Sequence, residues 1–473
     1  MNYKGILFFL GINSYFITFF SFINILYSYY FKFLLNINSY LITLIISILL
    51  GFIFYKIGKN HYKNTSITDQ ILFVILSYSF TPVLISIPYF LSIYNFNFLD
   101  SYFESISGFT TTGFSIINNI GMIDSPLLLW RSSSQWIGGL IFLMITIGII
   151  GSRQVKIKPS YLIPGGSSNK NFYNNFNSNF IKISLIYILT TIFIIFIYSL
   201  FNLRLLDSLN IALTVVSSGG FITSENLSSI FVTDLQILIL SLTLLFPIFN
   251  FFLFFNIINK QFSIKEHQED IHLALIIFLL SIFFYFFVIP IEGFAKVLLS
   301  ITTSISTSGI SIYSSNFDLS LFFILLTIVG GSLISTSSGF KYVRFYILLK
   351  ISYQEIYRLA KPINIFNKSL FNTEYKISDD DSKIAFLVFI SFIVSLFILS
   401  SILTLDVLNF EEAFKLSILT IMNTVNSSLY GLENLNFSDL QNFTKISLII
   451  FMIFGKVEII AILFLLKKFI LKE

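Results

Sequence analysis

Runs of apolar residues, each long enough to cross a membrane, dominate this sequence. About ten of them follow one another, at about 5–31, 39–55, 70–94, 127–150, 180–201, 235–258, 271–290, 319–349, 384–404 and 443–466. A span takes about 20 apolar residues, because a helix must cross about 30 Å of hydrocarbon. Only 11% of the 473 residues are charged, and a water-facing surface needs about 25%. The chain is therefore expected to be an all-α polytopic membrane protein. A soluble enzyme, a disordered chain and a coiled coil are excluded. There is no cysteine, which removes disulfides and thiolate metal sites. The histidines, His61, His267 and His272, are too scattered for a metal centre. The first run exceeds a signal-peptide core and lacks a small-residue cleavage site, so it reads as a retained helix.

The few charges sort by side. With a cytoplasmic N-terminus, the inner loops and both termini carry 22 Lys/Arg and 10 Asp/Glu, and the outer segments 6 and 13. That is a positive-inside pattern, and the opposite topology would invert it. The acidic outer side raises the local concentration of cations. Lys456 and Glu458 are the charges left inside a span. An ionisable group there is a functional candidate by default. At a spacing of two on a helix these two do not face each other. The Asn/Ser/Gly-rich stretch 152–179 and the stretch 351–383, with Asp379, Asp380 and Asp381, read as cytoplasmic linkers.

A repeat is written in the outer segments. The first contains Leu99-Asp100-Ser101 and ends in Thr110-Thr111-Thr112-Gly113-Phe114; the second contains Leu206-Asp207-Ser208 and ends in Ser217-Ser218-Gly219-Gly220-Phe221. The third ends in Ser306-Thr307-Ser308-Gly309-Ile310, and the fourth in Asn423-Thr424-Val425-Asn426-Ser427. The repeated unit is helix, half-helix, extended Thr/Ser/Gly strand, helix. Non-helical backbone at membrane depth is tolerated where it lines a wet cavity or is buried in protein. Four such strands around one axis can replace a cation's hydration shell with carbonyl oxygens. The C-terminal ends of the half-helices add partial negative charge.

With these motifs the chain resembles the Trk/Ktr/HKT superfamily of potassium transporters, in its pore-forming membrane subunit (TrkH/KtrB type). Residues 107–114 resemble the family's first filter strand. Leu129-Trp130-Arg131-Ser132 and Gln135-Trp136-Ile137-Gly138-Gly139 resemble the following helix. Gly330-Gly331-Ser332, Ser335-Thr336 and residues 339–344 resemble the small-residue loop that interrupts the third repeat's inner helix. Gly455-Lys456-Val457-Glu458 resembles the Gly-Arg-Leu-Glu motif of the last helix, with Lys in place of Arg.

The resemblance implies an N-terminal helix pair at 1–60 and four membrane–pore-loop–membrane repeats around a central ion pore, at 61–158, 178–262, 270–352 and 383–473. It implies potassium uptake, or K⁺/Na⁺ monovalent cation transport, across the bacterial inner membrane, with both termini cytoplasmic. The expected filter comprises Thr111, Thr112, Gly113, Ser218, Gly219, Gly220, Thr307, Ser308, Gly309, Val425 and Asn426. The expected gate comprises Ser335, Thr336, Ser337, Ser338, Gly339 and Lys456. No cofactor is expected beyond the transported K⁺, with Na⁺ as a second candidate. Expected partners are a second copy of the chain, a cytosolic nucleotide-binding regulatory ring of the TrkA/KtrA type, and membrane lipid, with no nucleic acid.

The fourth strand departs from the family by lacking the filter glycine. Pairing Thr424-Val425 with Thr111-Thr112 sets Asn426 opposite Gly113, and a shift of one residue sets Ser427 there. In relatives, loss of a filter glycine accompanies sodium entry, so a filter less selective for K⁺ over Na⁺ is expected. Ile334, Ser337 and Ser338 stand in the gate loop where the family prefers Gly. A secondary carrier for another solute, also built on internal repeats, is the alternative function. It would more often show paired ionisable groups at the midplane.

Overall fold

The structure is a computed structural model. It describes residues 2–62, 66–150, 172–224, 227–258, 264–288, 293–312, 319–360, 369–371, 375–406, 408–432 and 435–457. Two long helices come first, α1 (Tyr3–Tyr30) and α2 (Ile37–Gly58). Four sets of helices follow, each with a 12-residue helix at its centre. The first set is α3 (Ile67–Phe90), α4 (Phe98–Phe109) and α5 (Ser125–Ile150). The second is α6 (Phe172–Leu200), α7 (Leu205–Val216) and a broken helix made of α8 (Asp234–Thr243), α9 (Leu245–Ile248) and α10 (Phe251–Ile258). The third is α11 (Gln268–Phe283), α12 (Phe294–Ile305) and the pair α13 (Ser320–Val329) and α14 (Tyr342–Ala360). The fourth is α15 (Asp379–Leu403), α16 (Phe410–Ile421) and α17 (Asn442–Val457).

The sets close into a ring. The first meets the second through α5 and α7, and the second meets the third through α8 and α12. The third meets the fourth through α13 and α16, and the fourth returns to the first through α17 and α4. The N-terminal pair lies outside the ring, with α1 against α3 and α5. Asn13 Nδ2 donates to Ser77 Oγ across the α1–α3 contact at 3.1 Å.

Among the described residues six helices are long and apolar enough to cross a membrane: α1, α2, α3, α6, α15 and the stretch Gln268–Val288. Their outward faces are apolar; Phe52, Phe196 and Phe397 are each more than half exposed, as lipid contact requires. Two expected spans differ from straight helices. The run at 235–258 bends by 95° between Ile248 and Phe251, where Pro247 and Asn250 interrupt it. The run at 319–349 stops at Val329 and resumes at Tyr342.

The stretch 379–381 is helix rather than linker. Ser378 caps α15 and the Asp381 carboxylate accepts the Ser378 N–H at 3.0 Å, a reciprocal box that satisfies two orphan donors. Of the other expected linker, residues 151–171 lie outside the described residues, as does Glu458.

Side-chain donors tie α3 to the other two helices of the first set near its two prolines, which lack the N–H that would reach Tyr78 O and Leu84 O and so loosen the local ladder. Tyr102 OH donates to Ser79 O at 2.9 Å, three residues before Pro82. Trp130 Nε1 donates to Ile85 O at 3.0 Å, three residues before Pro88.

Candidate ion filter and gate

The four short helices end alike. The backbone turns left-handed two residues past each, at Thr111 (φ 58), Ser218 (φ 54), Thr307 (φ 60) and Asn423 (φ 49). The N–H of each next residue reaches back five positions: Thr112 to Ser107 O, Gly219 to Thr214 O, Ser308 to Thr303 O and Thr424 to Leu419 O, at 2.8–3.1 Å. The left-handed residue itself reaches back three, to Gly108, Val215, Ser304 and Thr420. Together these make four Schellman helix ends. Glycine normally holds the left-handed position, and an L side chain there costs roughly 1–3 kcal/mol. For β-branched Thr111 and Thr307 it is a true outlier. Such strain persists only where the surroundings over-determine it, and here it recurs at one level in all four repeats.

Two rings follow from this geometry. The lower consists of Thr111, Ser218, Thr307 and Asn423. The upper lies two residues further on, at Gly113, Gly220, Gly309 and Val425. The intervals from the helix N-caps, Asn97 to Gly113, Arg204 to Gly220, Gly293 to Gly309 and Asn409 to Val425, are all 16 residues. The fourth strand therefore has a different register from the one read on residue identity. Val425, not Asn426 or Ser427, stands opposite Gly113. Asn426 is the counterpart of Phe114, and its Nδ2 donates to Leu432 O at 3.4 Å. The cue was in the sequence: Asn97-Phe98-Leu99-Asp100 and Asn409-Phe410-Glu411-Glu412 start equivalent helices, each Asn followed three residues on by a carboxylate.

Side chains outside the strands fix the rings. Gln135 Oε1 accepts the N–H groups of Gly220 and Phe221, both at 3.2 Å, and the Thr214 hydroxyl at 3.1 Å. Asn423 Nδ2 donates to Thr112 Oγ1 at 2.9 Å and Met452 O at 2.8 Å. These two residues were not among the expected site residues. Above the rings a vestibule of about 560 Å³ opens, lined among others by Gly113, Gly220, Gly309, Val425, Asn426 and Arg131. Arg131 is buried and paired with Glu104, Nε to Oε1 at 2.9 Å. The same carboxylate accepts the Ile116 N–H at 2.9 Å. Asp100 is likewise tied to Lys445 at 2.8 Å. These two carboxylates brace the strands and short helices and are already paired, so they lend no unpaired negative charge to the vestibule.

Beneath the rings lies the loop 330–341. Gly330 (φ 66) and Gly339 (φ 89) set its ends against each other; a Cβ on Gly339 would come within 2.8 Å of Gly330 Cα. The loop is fastened to the break in the second set. Ser332 N donates to Ile248 O at 2.8 Å and Ser337 N to Pro247 O at 3.1 Å, while Phe251 N donates to Ile334 O at 2.7 Å. Two interrupted helices thus satisfy each other's backbone, as buried polar groups must be satisfied. Asp270 Oδ1 accepts the Asn250 N–H at 2.8 Å and Glu269 Oε1 the Leu333 N–H at 3.1 Å, both from the first turn of α11.

The loop also holds the lower ring from below. Ser218 Oγ donates to Thr336 O at 3.1 Å, Thr336 Oγ1 to Val216 O at 2.9 Å, and Ser338 N to Thr307 Oγ1 at 2.9 Å. Lys456 Nζ joins the remaining side, donating to Thr111 Oγ1 at 2.8 Å, Ser338 Oγ at 3.1 Å and Thr336 O at 3.4 Å. Its ammonium stays at the lower ring, between Thr111 and the loop. A second buried lysine was missed in the sequence. Lys341 Nζ donates to Ser337 O at 2.6 Å and Ser335 O at 3.2 Å. Phe142 lies against both ammonium groups, at 4.7 Å from Lys456 and 5.7 Å from Lys341. The expected filter and gate residues are thus brought to one place, apart from Asn426, which sits at the vestibule above.

No family model matches the chain. Among curated relatives it is 27% identical over 361 residues to an uncharacterized cation transporter of Methanocaldococcus jannaschii, covering 76% of this chain and 74% of that one. It is 26% identical over 452 residues to the Trk system potassium uptake protein TrkG of Escherichia coli, covering 90% and 92%. It is 25% identical over 443 residues to the corresponding TrkH of Halomonas elongata, covering 89% and 90%. The crystal structure of the potassium transporter TrkH from Vibrio parahaemolyticus superposes with a TM-score of 0.80 at 20% identity, over 98% of this chain and 99% of that one.

Proposed function

We propose that this chain, a divergent member of the Trk/Ktr/HKT superfamily, takes up potassium across a cytoplasmic membrane through the ringed filter and is closed in this structure by its intramembrane loop. One observation carries the reading. Four helix C-termini converge on strained Thr/Ser/Asn turns, and a hydrogen-bonded loop and a lysine seal that ring from beneath.

The chemistry follows from the donors present. Almost no side-chain charge lies in the path, so a cation must be bound by carbonyls and helix ends, whose partial negative charge favours it. Ions enter from the vestibule and lose water against the strands 111–113, 218–220, 307–309 and 423–425. Below them the ammonium of Lys456 repels an arriving cation and pins the loop to Thr111. Opening requires the loop to release Ser218 and Thr307 and the lysine to release Thr111. Loss of a fourth filter glycine extends the proposal to weaker discrimination against Na⁺. The family likeness extends it further, to a homodimer, a cytosolic nucleotide-binding ring that pulls on the loop, and an inner-membrane setting with both termini cytoplasmic.

The test is growth of a potassium-uptake-deficient bacterial strain at low K⁺, with and without this chain and a ring partner. Rescue that depends on the chain is expected. Absence of rescue, together with absence of Rb⁺ and Na⁺ flux in liposomes, overturns the reading.

A further inference from the structure

The upper ring holds three glycines and one valine, and the valine points inward. Val425 is only 8% exposed. A Cβ built on Gly113 would lie 2.7 Å from Val425 Cγ2, one on Gly220 would lie 2.7 Å from Val425 Cβ, and one on Gly309 would overlap Val425 Cγ1. The isopropyl group therefore packs against all three glycines at once. Gly220 belongs to the repeat opposite Val425 in the ring, so the side chain reaches across the axis instead of lying along its own wall.

We propose that Val425 is a side-chain plug in the filter, setting how fast a cation crosses it. The proposal rests on the reading of this site as a cation filter. A dehydrated cation in a filter layer needs oxygen ligands around it. The isopropyl group fills that space and offers none. A β-branched side chain has few χ1 states, so the plug occupies discrete positions, and an ion passes when the group turns away. Lys456 and Val425 then act in series and multiply: the lysine sets how often the pore is open, the valine how fast it conducts once open. The three glycines also gain a second reason. A side chain at any of them would collide with the plug.

The experiment is Rb⁺ and Na⁺ influx into liposomes holding the purified full-length chain, for wild type, Val425→Gly, Val425→Ala and Val425→Leu. Each variant is first checked for a single folded species in detergent. The expected order of Rb⁺ influx is Gly, Ala, wild type, Leu, with Val425→Gly at least about tenfold above wild type, equivalent to about 1.4 kcal/mol. Where the glycine variant is not recovered folded, Val425→Ala carries the test, because it removes only the two methyl groups that meet Gly113 and Gly309. A second readout is packing. Gly113→Ala should lower the recovery of folded protein in the wild-type background and recover part of that loss with Val425→Gly, as residues in contact couple. Equal Rb⁺ influx in wild type, Val425→Gly and Val425→Ala overturns the plug and leaves the filter standing. No influx of either ion in any variant overturns both.

Discussion

The first and fourth sets of helices differ from the second and third in how they pass the filter. In the first and fourth the outgoing helix runs unbroken past the end of its pore helix. Gly138 makes room for Phe109 O and Gly455 for Ile421 O, so the backbones touch. In the second and third the outgoing helix breaks at the corresponding depth, and the two breaks hydrogen-bond to each other through Pro247, Ile248, Ser332, Ile334 and Ser337. The comparison separates a wall from a hinge. Close backbone packing through glycine leaves little freedom of movement. Irregular backbone joined by hydrogen bonds has an alternative arrangement whenever those bonds are released. In the proposed function the second pair makes the gate and moves while the filter stays braced by the first.

The strongest way to break this comparison is to spoil the wall. Gly138→Ala places a Cβ into Phe109 O and Gly455→Ala one into Ile421 O. Overpacking against backbone cannot be relieved by a rotamer change, and costs of about 1–3 kcal/mol or more are expected. Both variants should lower the yield of folded protein and its melting temperature. Gly121→Ala, whose Cβ would touch only Asn119 Oδ1 at 3.4 Å, should not.

The hinge should respond less and differently. Asp270→Ala removes the acceptor of the Asn250 N–H and the partner of His267, which is 3.1 Å away. A buried donor left unsatisfied costs about 1–3 kcal/mol. The expected result is a modest loss of thermal stability together with a faster exchange of the backbone amides of the loop 330–341 and the break beside it. Unchanged exchange there would mean that the two breaks are not coupled.

The smallest expected effect lies at the filter strand of the second set. Gln135→Ala frees the N–H groups of Gly220 and Phe221. The fold should survive, and the Rb⁺/Na⁺ influx ratio should fall by a few-fold, since each neutral hydrogen bond contributes about 0.5–1.5 kcal/mol.

How much of this was legible beforehand depends on the kind of signal. The long apolar runs marked the helices because lipid demands them. Thr, Ser and Gly at the ends of the short helices marked the non-helical strands that follow them, because a re-entrant strand needs residues that tolerate irregular backbone. The pore helix of the fourth set was found but its strand was read in the wrong register. Thr424 beside Val425 looks like Thr111 beside Thr112, whereas helix length from Asn409, not residue identity, decides which residue enters the ring. The break at Ile248 was hidden because α8, α9 and α10 are all apolar, and only Pro247 and Asn250 hinted at it. Lys341 was counted among the basic residues of an inner loop. Its burial depends on the loop 330–341 folding back on itself, which no local pattern states. Gly113 itself takes no side chain without cost: at φ 84 and against Val425 any substitution there strains the strand.

Lys456 tests the central claim most directly, since it joins the wall to the hinge. Lys456→Met keeps most of the length of the side chain and removes the ammonium that binds Thr111, Thr336 and Ser338. The measurement is Rb⁺ influx into liposomes containing the full-length chain. A gated cation pore predicts influx at least about tenfold above wild type, equivalent to about 1.4 kcal/mol in the closing equilibrium, with Lys456→Arg close to wild type. Influx in Lys456→Met that is no greater than wild type would contradict the account.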